Sequence, residues 1–363
     1  MLGHDFYLEL KGTPRDLGLA HGETFRSTIQ SAIARWQQEM SDAAKMPFEK
    51  LLGMFNAATD YRAAIEQWTP HIYEEMQYVA KGANVSEELI YAWQLVDEFI
   101  DFLVEYIYIE KCTTVGGYDQ GVGLPPVIGK TQDLPHCYIG AAALIRTRYA
   151  DSDIDILNST IAGIVCQDGM SPNLGLCLNH VGQLARSSTG LPVTFVTRLI
   201  LERCSSIKQA ADLLGEITHA SGMNYGFVDK QATRTFEASA NHVVEFLPAP
   251  ELKRIWHTNH PLVNTNVCRD IQLWNRLKDE EAGSTVARMG FMDREASLAG
   301  KPLSPDRVME LLSSREVPVS SLPEDPFPTI NSIVMEFGEQ PVLHFAPGPP
   351  SETAYIPFRF DSQ

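Results

Sequence analysis

The segment Lys111-Cys112-Thr113-Thr114 places a thiol where a helical part of the chain gives way to strands. If the Lys111–Cys112 peptide bond is cut, Cys112 gains a free α-amino group on its own Cα. Such an amine has an unperturbed pKa of roughly 7.7–8.0, so it can act as a base near neutral pH. The thiol then needs no separate histidine to become a nucleophile. The alternative is that Cys112 is one of six buried structural cysteines.

The charge of the chain limits its partners. The 363 residues include 29 Lys plus Arg and 46 Asp plus Glu, which gives a formal net charge of −17. An acidic surface repels phosphate backbones and anionic lipids, so we expect neither nucleic acid nor a membrane as a partner. No apolar run approaches the roughly 18–20 residues of a membrane helix. The N-terminal residues do not have the pattern of a secretory signal.

The cysteine pattern favours a reducing compartment. The six cysteines form no CxxC pair and no regular framework, so we expect free thiols and a cytoplasmic protein.

The first 111 residues are predicted to be mainly helical after a short initial strand. Apolar residues recur at spacings of three or four from Phe25 to Met40, which predicts one amphipathic helix. Ser86 is a predicted N-cap, and the acidic residues that follow it suit the helix dipole. We expect that helix to run towards Ile107.

From Cys112 onward the pattern changes to short β-like runs separated by Gly, Pro, Asn and Asp. Helices are predicted from Val196 to Leu214, from Asp270 to Lys278 and from Pro305 to Leu312. Strands in batches, with helices between the batches, favour an α+β fold with largely antiparallel sheets. The strand candidates are Val127–Asp133, Ala141–Tyr149, Ile154–Cys166, Leu174–His180, Asn224–Asp229, Thr233–Ala238, His242–Leu247, Arg254–Asn259, Ile330–Phe337 and Tyr355–Phe360.

Three short motifs occur in a fixed order along the chain. They are Lys-Gly-Thr-Pro-Arg-Asp-Leu-Gly-Leu-Ala-His-Gly at 11–22, Cys-Thr-Thr at 112–114 and His-Thr-Asn-His at 257–260. Together they resemble the acyl-coenzyme A:6-aminopenicillanic acid acyltransferase family, the autoprocessing cysteine Ntn-hydrolases of the peptidase C45 type. This resemblance implies a four-layer αββα sandwich. Residues 1–111 would be a helical leader, released by autocleavage as a small subunit, and 112–363 the catalytic core, together forming one structural domain.

The resemblance also implies a role for each matching residue. Cys112 would attack the Lys111 carbonyl during maturation and an acyl carbonyl during turnover. Asn259 would donate its side-chain NH2 to the tetrahedral oxyanion. Asp133 would hold the α-amine of Cys112 in place; without the resemblance it is an ordinary turn-forming Asp.

Three further residues are candidate contacts with substrate or site. Lys130 stands near a position where related enzymes often carry Arg. It lies three residues before Asp133, however, so a regular strand would turn it to the opposite face, and a solvated lysine is the alternative. Asn179 matches a pocket-lining Asn of the family. Ser320 matches a family Ser, although no Arg follows it where the family has one.

The expected function is hydrolysis of linear amide bonds in small N-acyl compounds through a Cys112 acyl-thioester. An acyl-coenzyme A-dependent N-acyltransferase with the same acyl-enzyme is one alternative, and an unprocessed non-catalytic relative is another. We expect no cofactor. We also expect no metal site, because His257 and His260 would face opposite sides of a strand. The two processed subunits are expected to stay associated, and a higher oligomer is left open.

Overall fold

The structure is a computed structural model that describes residues 5–103, 111–118, 121, 123–268 and 283–360. The helix predicted at Asp270–Lys278 lies outside the described residues, as does the approach to Ile107.

The N-terminal part is one strand followed by helices. Thr13 begins the first helix with a capping box: its hydroxyl accepts a hydrogen bond from the Asp16 N–H, and the Asp16 carboxylate accepts one from the Thr13 N–H. The elements are β1 (Tyr7–Gly12), α1 (Pro14–Thr24), α2 (Arg26–Ala44), α3 (Phe48–Ala58), α4 (Arg62–Trp68), α5 (Pro70–Ala83), α6 (Glu87–Gln94) and α7 (Val96–Phe102).

The apolar stripe of α2 is buried as predicted, and Ser86 caps α6 by accepting a hydrogen bond from the Leu89 N–H at 3.3 Å. The single long helix predicted after Ser86 is wrong, because the chain leaves helical geometry at Leu95 and starts again as α7. Gln94 at the end of α6 binds the backbone of Gly163 and Val165. The periodicity of apolar residues along one segment does not reveal such contacts with distant residues, so the end of α6 could not be predicted from it.

An eight-stranded sheet, sheet A, has the strand order β1-β4-β5-β6-β7-β8-β9-β10. Its strands run antiparallel except at one edge, where β1 pairs parallel to β4, from Tyr7 beside Leu144 to Gly12 beside Tyr149. The remaining strands of this sheet are β4 (Ala142–Tyr149), β5 (Asp155–Ile161), β6 (Asp168–Met170), β7 (Leu174–His180), β8 (Met223–Asp229), β9 (Thr233–Ser239) and β10 (His242–Phe246).

A six-stranded antiparallel sheet, sheet B, has the order β11-β2-β3-β12-β13-β14. Its strands are β2 (Lys111–Gly117), β3 (Val127–Asp133), β11 (Arg254–His257), β12 (Thr329–Glu336), β13 (Val342–Ala346) and β14 (Ile356–Arg359).

The two sheets stack face to face and carry helices on their outer faces. Strands β2 and β3 contact β7, and a cluster of buried apolar residues that includes Ile128, Leu157 and Ile333 fills the space between the sheets. Helices α8 (Val193–Arg203) and α9 (Ile207–Glu216) pack on sheet A. Helices α10 (Gly283–Glu295) and α11 (Pro305–Leu312) pack on sheet B. The predicted α+β fold with four αββα layers is confirmed.

Several boundaries differ from the prediction. The helix expected from Val196 to Leu214 is two helices, because Cys204 leaves helical geometry and Ser206 caps α9 through the Gln209 N–H. The strand predicted from Ile154 to Cys166 ends at Ile161. The short strand β6, strand β13 and helix α10 were not predicted, whereas α11 has the predicted bounds.

The close contact between α11 and sheet B depends on a glycine. A Cβ placed on Gly129 of β3 would lie 2.7 Å from Val308 Cγ1 of α11 and 2.8 Å from Val334 Cγ2 of β12. Because real Cβ atoms do not approach so closely, any larger residue would push helix and strand apart. None of the helices in the described part of the chain is both long enough and apolar enough to cross a bilayer.

Candidate active site

Cys112 is the second residue of β2 and faces the space between the sheets. In the antiparallel register Cys112 lies opposite Gln132 and Thr114 lies opposite Lys130, so these four side chains share one face of sheet B. Cys112 is 6% exposed. It lines a small cavity of about 20 Å³ whose other walls are Asp97, Lys130, Gln132, Leu134, Gln167, Leu178, His180, Val193 and Met223.

The main chain of Cys112 is held on both sides by polar side chains. Its N–H donates to Asn259 Oδ1 at 2.7 Å, and its carbonyl oxygen accepts from Arg288 Nη1. The same guanidinium donates to Thr113 Oγ1 at 2.8 Å and to Asn259 Oδ1 at 3.0 Å. Arg288 is fully buried in α10 and binds both residues, so it fixes Cys112 and Asn259 relative to each other.

The structure brings Asn259 to Cys112, but the contact in the continuous chain is made by the side-chain oxygen. The NH2 group of Asn259, which the sequence assigned to an oxyanion, donates to the backbone oxygen of His180 at 3.0 Å. An amide NH2 has two hydrogens, so this bond uses one of them. The Asn259 N–H also donates to Thr285 Oγ1 at 2.9 Å, which ties the loop to α10.

The loop that carries Asn259 is anchored by one buried carboxylate. Glu237 of β9 accepts hydrogen bonds from the backbone N–H groups of Leu262, Val263 and Asn264 at 2.6, 3.1 and 2.7 Å. His257 Nε2 lies 2.9 Å from the same carboxylate. Burial raises the pKa of Glu237, but the His257 contact and these backbone donors outweigh it, so its pKa is below the usual value.

Asp133 is fully buried and lies opposite Lys111 in the register, next to Gln132, which faces Cys112. Its Oδ1 accepts a hydrogen bond from Thr329 Oγ1 at 2.6 Å. The structure thus places Asp133 beside the bond expected to be cut. In the continuous chain, Asn259 is the side chain that accepts from the Cys112 N–H.

Lys130 points inward and is 3% exposed, so the alternative of a solvated strand lysine is wrong. Its Nζ binds both carboxylate oxygens of Asp168 on β6, at 3.0 and 2.8 Å, and Asp168 also accepts from the Leu178 N–H. Burial raises the pKa of Cys112 to about 11, while Lys130 pulls it down and Asp133 pushes it up. Lys130 is therefore the cation that favours a thiolate here.

The other two candidate contacts have different surroundings. Asn179 is fully buried; its Oδ1 accepts from Asn224 Nδ2 at 3.0 Å, and its own Nδ2 has no acceptor among the described residues. Ser320 does not line the cavity, and its hydroxyl donates to Ser351 Oγ at 2.8 Å, so it is not brought to the site.

Several residues at the site were not identified from the sequence. Asp168 and Asp97 are single acidic residues without a motif, and their positions depend on the packing of β6 and α7 against sheet B. Arg288 belongs to a helix that the apolar pattern did not indicate. The sequence has no Arg after Ser320 where the family has one, and no motif indicates that the Arg288 guanidinium reaches Cys112 from α10.

A wider groove on the protein is separate from this site. It has a volume of about 940 Å³ and is lined by residues such as Arg146, Asp155, Glu202 and Phe360. None of the predicted site residues contributes to it. Among the described residues there is also no cluster of three or more His, Cys, Asp or Glu with the geometry of a metal site.

A cysteine near the start of an inner strand, between two stacked sheets flanked by helices, agrees with the fold that the sequence resemblance implies. Residues 164–342 match the family model described as "Acyl-coenzyme A:6-aminopenicillanic acid acyl-transferase". This match covers just under half of the chain, and the resemblance predicted from the sequence is confirmed. The relation supports hydrolysis or transfer of an acyl amide as the class of reaction.

The matched range contains Asn179, Asn259 and Arg288 and begins after Cys112. Among solved structures, the chain is similar to a Caenorhabditis elegans N-acylethanolamine-hydrolyzing acid amidase (NAAA) ortholog. The TM-score is 0.44 and the sequence identity 15%, over 62% of this chain and 92% of that chain. No curated protein matches the chain in sequence.

Proposed function

We propose that this protein is an autoprocessing cysteine amide hydrolase that cleaves its own Lys111–Cys112 bond and then hydrolyses small N-acyl compounds. The observation that carries the proposal is the hydrogen bond from the Cys112 backbone nitrogen to Asn259 Oδ1. After cleavage this nitrogen is the α-amine that must serve as the base. Asn259 already holds it beside the thiol.

Maturation would use the thiol of Cys112 against the preceding carbonyl. The thiol gives up its proton as the sulfur attacks the Lys111 carbonyl carbon, the C–N bond breaks, and the nitrogen takes up that proton to become the α-amine. Water then hydrolyses the resulting thioester, which frees the Lys111 carboxylate and regenerates the thiol. Arg288, which binds the Cys112 carbonyl oxygen, would hold the residue still during this exchange.

Turnover would repeat the chemistry on a substrate. The α-amine takes the thiol proton, the sulfur attacks the acyl carbonyl, and the leaving amine departs with that proton. The tetrahedral oxyanion needs fixed donors. The second N–H of Asn259 can supply one of them, because its Nδ2 uses only one hydrogen in the bond to the His180 carbonyl oxygen. Water completes the cycle by hydrolysing the acyl-thioester.

The two pieces would remain together after cleavage. Strand β1 of the leader is hydrogen-bonded to β4 of the core along its whole length. Glu75 of α5 forms a buried ion pair with Arg198 of α8, and Trp93 of α6 donates to the Ala162 carbonyl. The N-terminal helices also share one apolar cluster with the core. Cutting one peptide bond removes none of these contacts.

The proposal is tested by intact mass spectrometry of the purified protein, before and after incubation with N-acyl amides. We expect two masses, for 1–111 and 112–363, and a transient acyl adduct on Cys112. The variant Cys112→Ala should remain one chain and show no amidase activity. The matched variant Cys204→Ala, which also removes a buried thiol, should behave like the wild type.

Amidase activity in the Cys112→Ala variant would reject the assigned nucleophile. Addition of an acceptor amine separates hydrolysis from transfer, because an acyltransferase would form the new amide at the expense of the free acid.

A further inference from the structure

The cavity beside Cys112 is bounded on one side by the leader. Asp97 of α7 lines the cavity together with Gln167, which precedes β6, and with Lys130 and His180 from the two sheets. Asp97 is the one wall residue of the N-terminal part among the described residues. Substrate recognition would therefore involve a side chain from each of the two processed pieces.

Asp97 is the charged residue of the cavity wall that has no ion-pair partner among the described residues. Lys130 is bound to Asp168, and His180 Nε2 lies 3.0 Å from Asp101 Oδ1. Each of these cations therefore already has a carboxylate partner. Asp101 also has Arg186 Nη1 at 3.9 Å from its Oδ1, whereas no described residue forms a hydrogen bond or ion pair with the Asp97 carboxylate. The pKa of Asp97 is raised above its usual value, because burial and the nearby Asp101 and Asp168 outweigh the attraction of His180 and Lys130, neither of which binds it.

A second acceptor faces the same space. Gln167 is 5% exposed, lines the cavity, and its Oε1 has no hydrogen-bond donor among the described residues. A buried acceptor without a partner destabilises the folded chain, so proteins seldom keep one without a use. Asp97 and Gln167 together offer oxygen atoms to a ligand that brings N–H donors and a positive charge.

We propose that Asp97 and Gln167 bind an ammonium group of the substrate, so that the hydrolase acts on N-acyl compounds carrying a primary amine close to the scissile amide. The inference rests on the proposed function for the reaction itself and adds the chemical class of the substrate. An alkylammonium supplies three N–H donors and the charge that Asp97 lacks.

The size of the cavity limits the distance between the two groups. Its volume of about 20 Å³ holds one water-sized group in the continuous chain. Cys112 lines the same cavity, so the ammonium must lie only a few bonds from the carbonyl that the thiol attacks. A long fatty chain ending in a distant amine would not satisfy this geometry.

The test compares two alkylating reagents of the same size, 2-bromoethylammonium and 1-bromopropane. Each transfers its alkyl group to a thiolate with loss of bromide, and the rates at Cys112 are followed by peptide mapping and normalised to free cysteine. We expect the cationic reagent to be favoured at Cys112 by at least about tenfold, because its ammonium would form charge-assisted hydrogen bonds with Asp97. The preference should fall towards one in Asp97→Asn.

The control variant is Asp42→Asn, the same change at an exposed position of α2. It should keep the wild-type preference. Methylammonium chloride should also slow alkylation of wild-type Cys112 by iodoacetamide, whereas potassium chloride at equal ionic strength should not. This second measurement needs no variant and holds even if Asp97→Asn folds poorly.

A wild-type preference near one, a preference that Asp97→Asn leaves unchanged, or a Cys112 that neither reagent reaches would overturn the inference. None of these readouts requires turnover, so they are independent of the proposed hydrolysis. If the enzyme hydrolyses neutral amides and shows no cationic preference, the proposed hydrolysis is supported and the proposed ammonium-bearing substrate is rejected.

Matched substrates then show which side of the amide carries the ammonium. One pair is the 3-aminopropanoyl and butanoyl p-nitroanilides, and the other is N-acetylethylenediamine and N-propylacetamide. The pair whose cationic member has the higher kcat/KM identifies the side, and Asp97→Asn should raise KM for that member alone. Equal kcat/KM within both pairs contradicts the assignment.

Discussion

The side-chain oxygen of Asn259 lies 2.7 Å from the backbone nitrogen of Cys112, and Arg288 Nη2 binds the same oxygen at 3.0 Å. In the continuous chain, Asn259 thus acts on the future α-amine as a hydrogen-bond acceptor. A lone pair on the amine cannot be used as a base until the peptide bond is broken. The hydrogen bond between Asn259 and the Cys112 nitrogen is therefore formed before that nitrogen becomes a base, so this part of the site is preorganised.

Replacing Asn259 with Ala should slow acyl-enzyme formation by roughly 10²–10³. The variant loses both the acceptor for the α-amine and an N–H available to the oxyanion. Stopped-flow measurement of amine release in a single turnover gives this rate. Asn264→Ala is the control, because it alters an Asn of the same loop that binds backbone carbonyls and not Cys112. An unchanged rate in Asn259→Ala removes Asn259 from both roles.

Arg288→Met should slow cleavage of the Lys111–Cys112 bond by roughly 10²-fold, because Cys112 and Asn259 lose the group that fixes their geometry. Cleavage is followed by gel or mass spectrometry after expression. Arg294→Met is the matched control, since Arg294 lies on the same helix but is exposed and pairs with Glu295 and Glu316. Equal cleavage in the two variants would show that Arg288 has only a structural role.

The rate of self-cleavage should rise with pH. Burial raises the pKa of the Cys112 thiol to about 11, so the thiolate fraction grows about tenfold per unit between about pH 7 and 9. Since Lys130 lowers this pKa, Lys130→Met should shift the rate profile to higher pH, and Lys130→Arg should restore it. A pH-independent rate would indicate that thiol ionisation does not limit cleavage.

The Glu237 carboxylate should make folding stability depend on pH at the acid end. Its pKa is depressed in the folded state, so its stabilisation is present above the unfolded value of about 4.3 and is lost as the pH falls through the folded value. Glu237→Gln should destabilise the protein by about 1.5–3 kcal/mol at neutral pH, measured by urea unfolding, and the difference from wild type should shrink below about pH 4. A constant difference across pH would contradict this origin.

Breaking the buried ion pair between the pieces should weaken their association. Arg198 contacts Glu75 of the leader and Glu202 of its own helix, and Arg198→Met leaves Glu75 buried without its partner. Loss of one member of a buried pair costs about 3–5 kcal/mol. The urea concentration at which the small subunit separates in size-exclusion chromatography should fall. Lys208→Met, on the exposed face of α9, serves as the control and should leave it unchanged.

The elements with strong local signals were predictable. Pro305–Leu312 has a Ser N-cap, a proline in its first turn and an apolar stripe, and the structure gives it the same bounds. The break at Leu95 and the division after Cys204 were missed because the flanking residues continue a helical pattern. Helix α10 was missed although it carries Arg288.

The site was predictable only as far as the motifs reach. Cys112 and Asn259 belong to short motifs and do lie in contact. Asp168 and Asp97 reach the cavity through the stacking of two sheets and the packing of α7, which depend on contacts far apart in the chain. The inward direction of Lys130 follows from the register of β2 and β3, which places it two residues from Gln132 on the same face.

Strand β1 has a consequence for how the protein must be made. It is the outermost strand of sheet A and covers the free edge of β4. A core fragment synthesised alone would leave that edge open to pairing with other chains, which is a common beginning of aggregation. Separate expression of 112–363 should therefore give insoluble material. Synthesis of both pieces as one chain lets β1 cover the edge of β4 during folding, before the chain is cut.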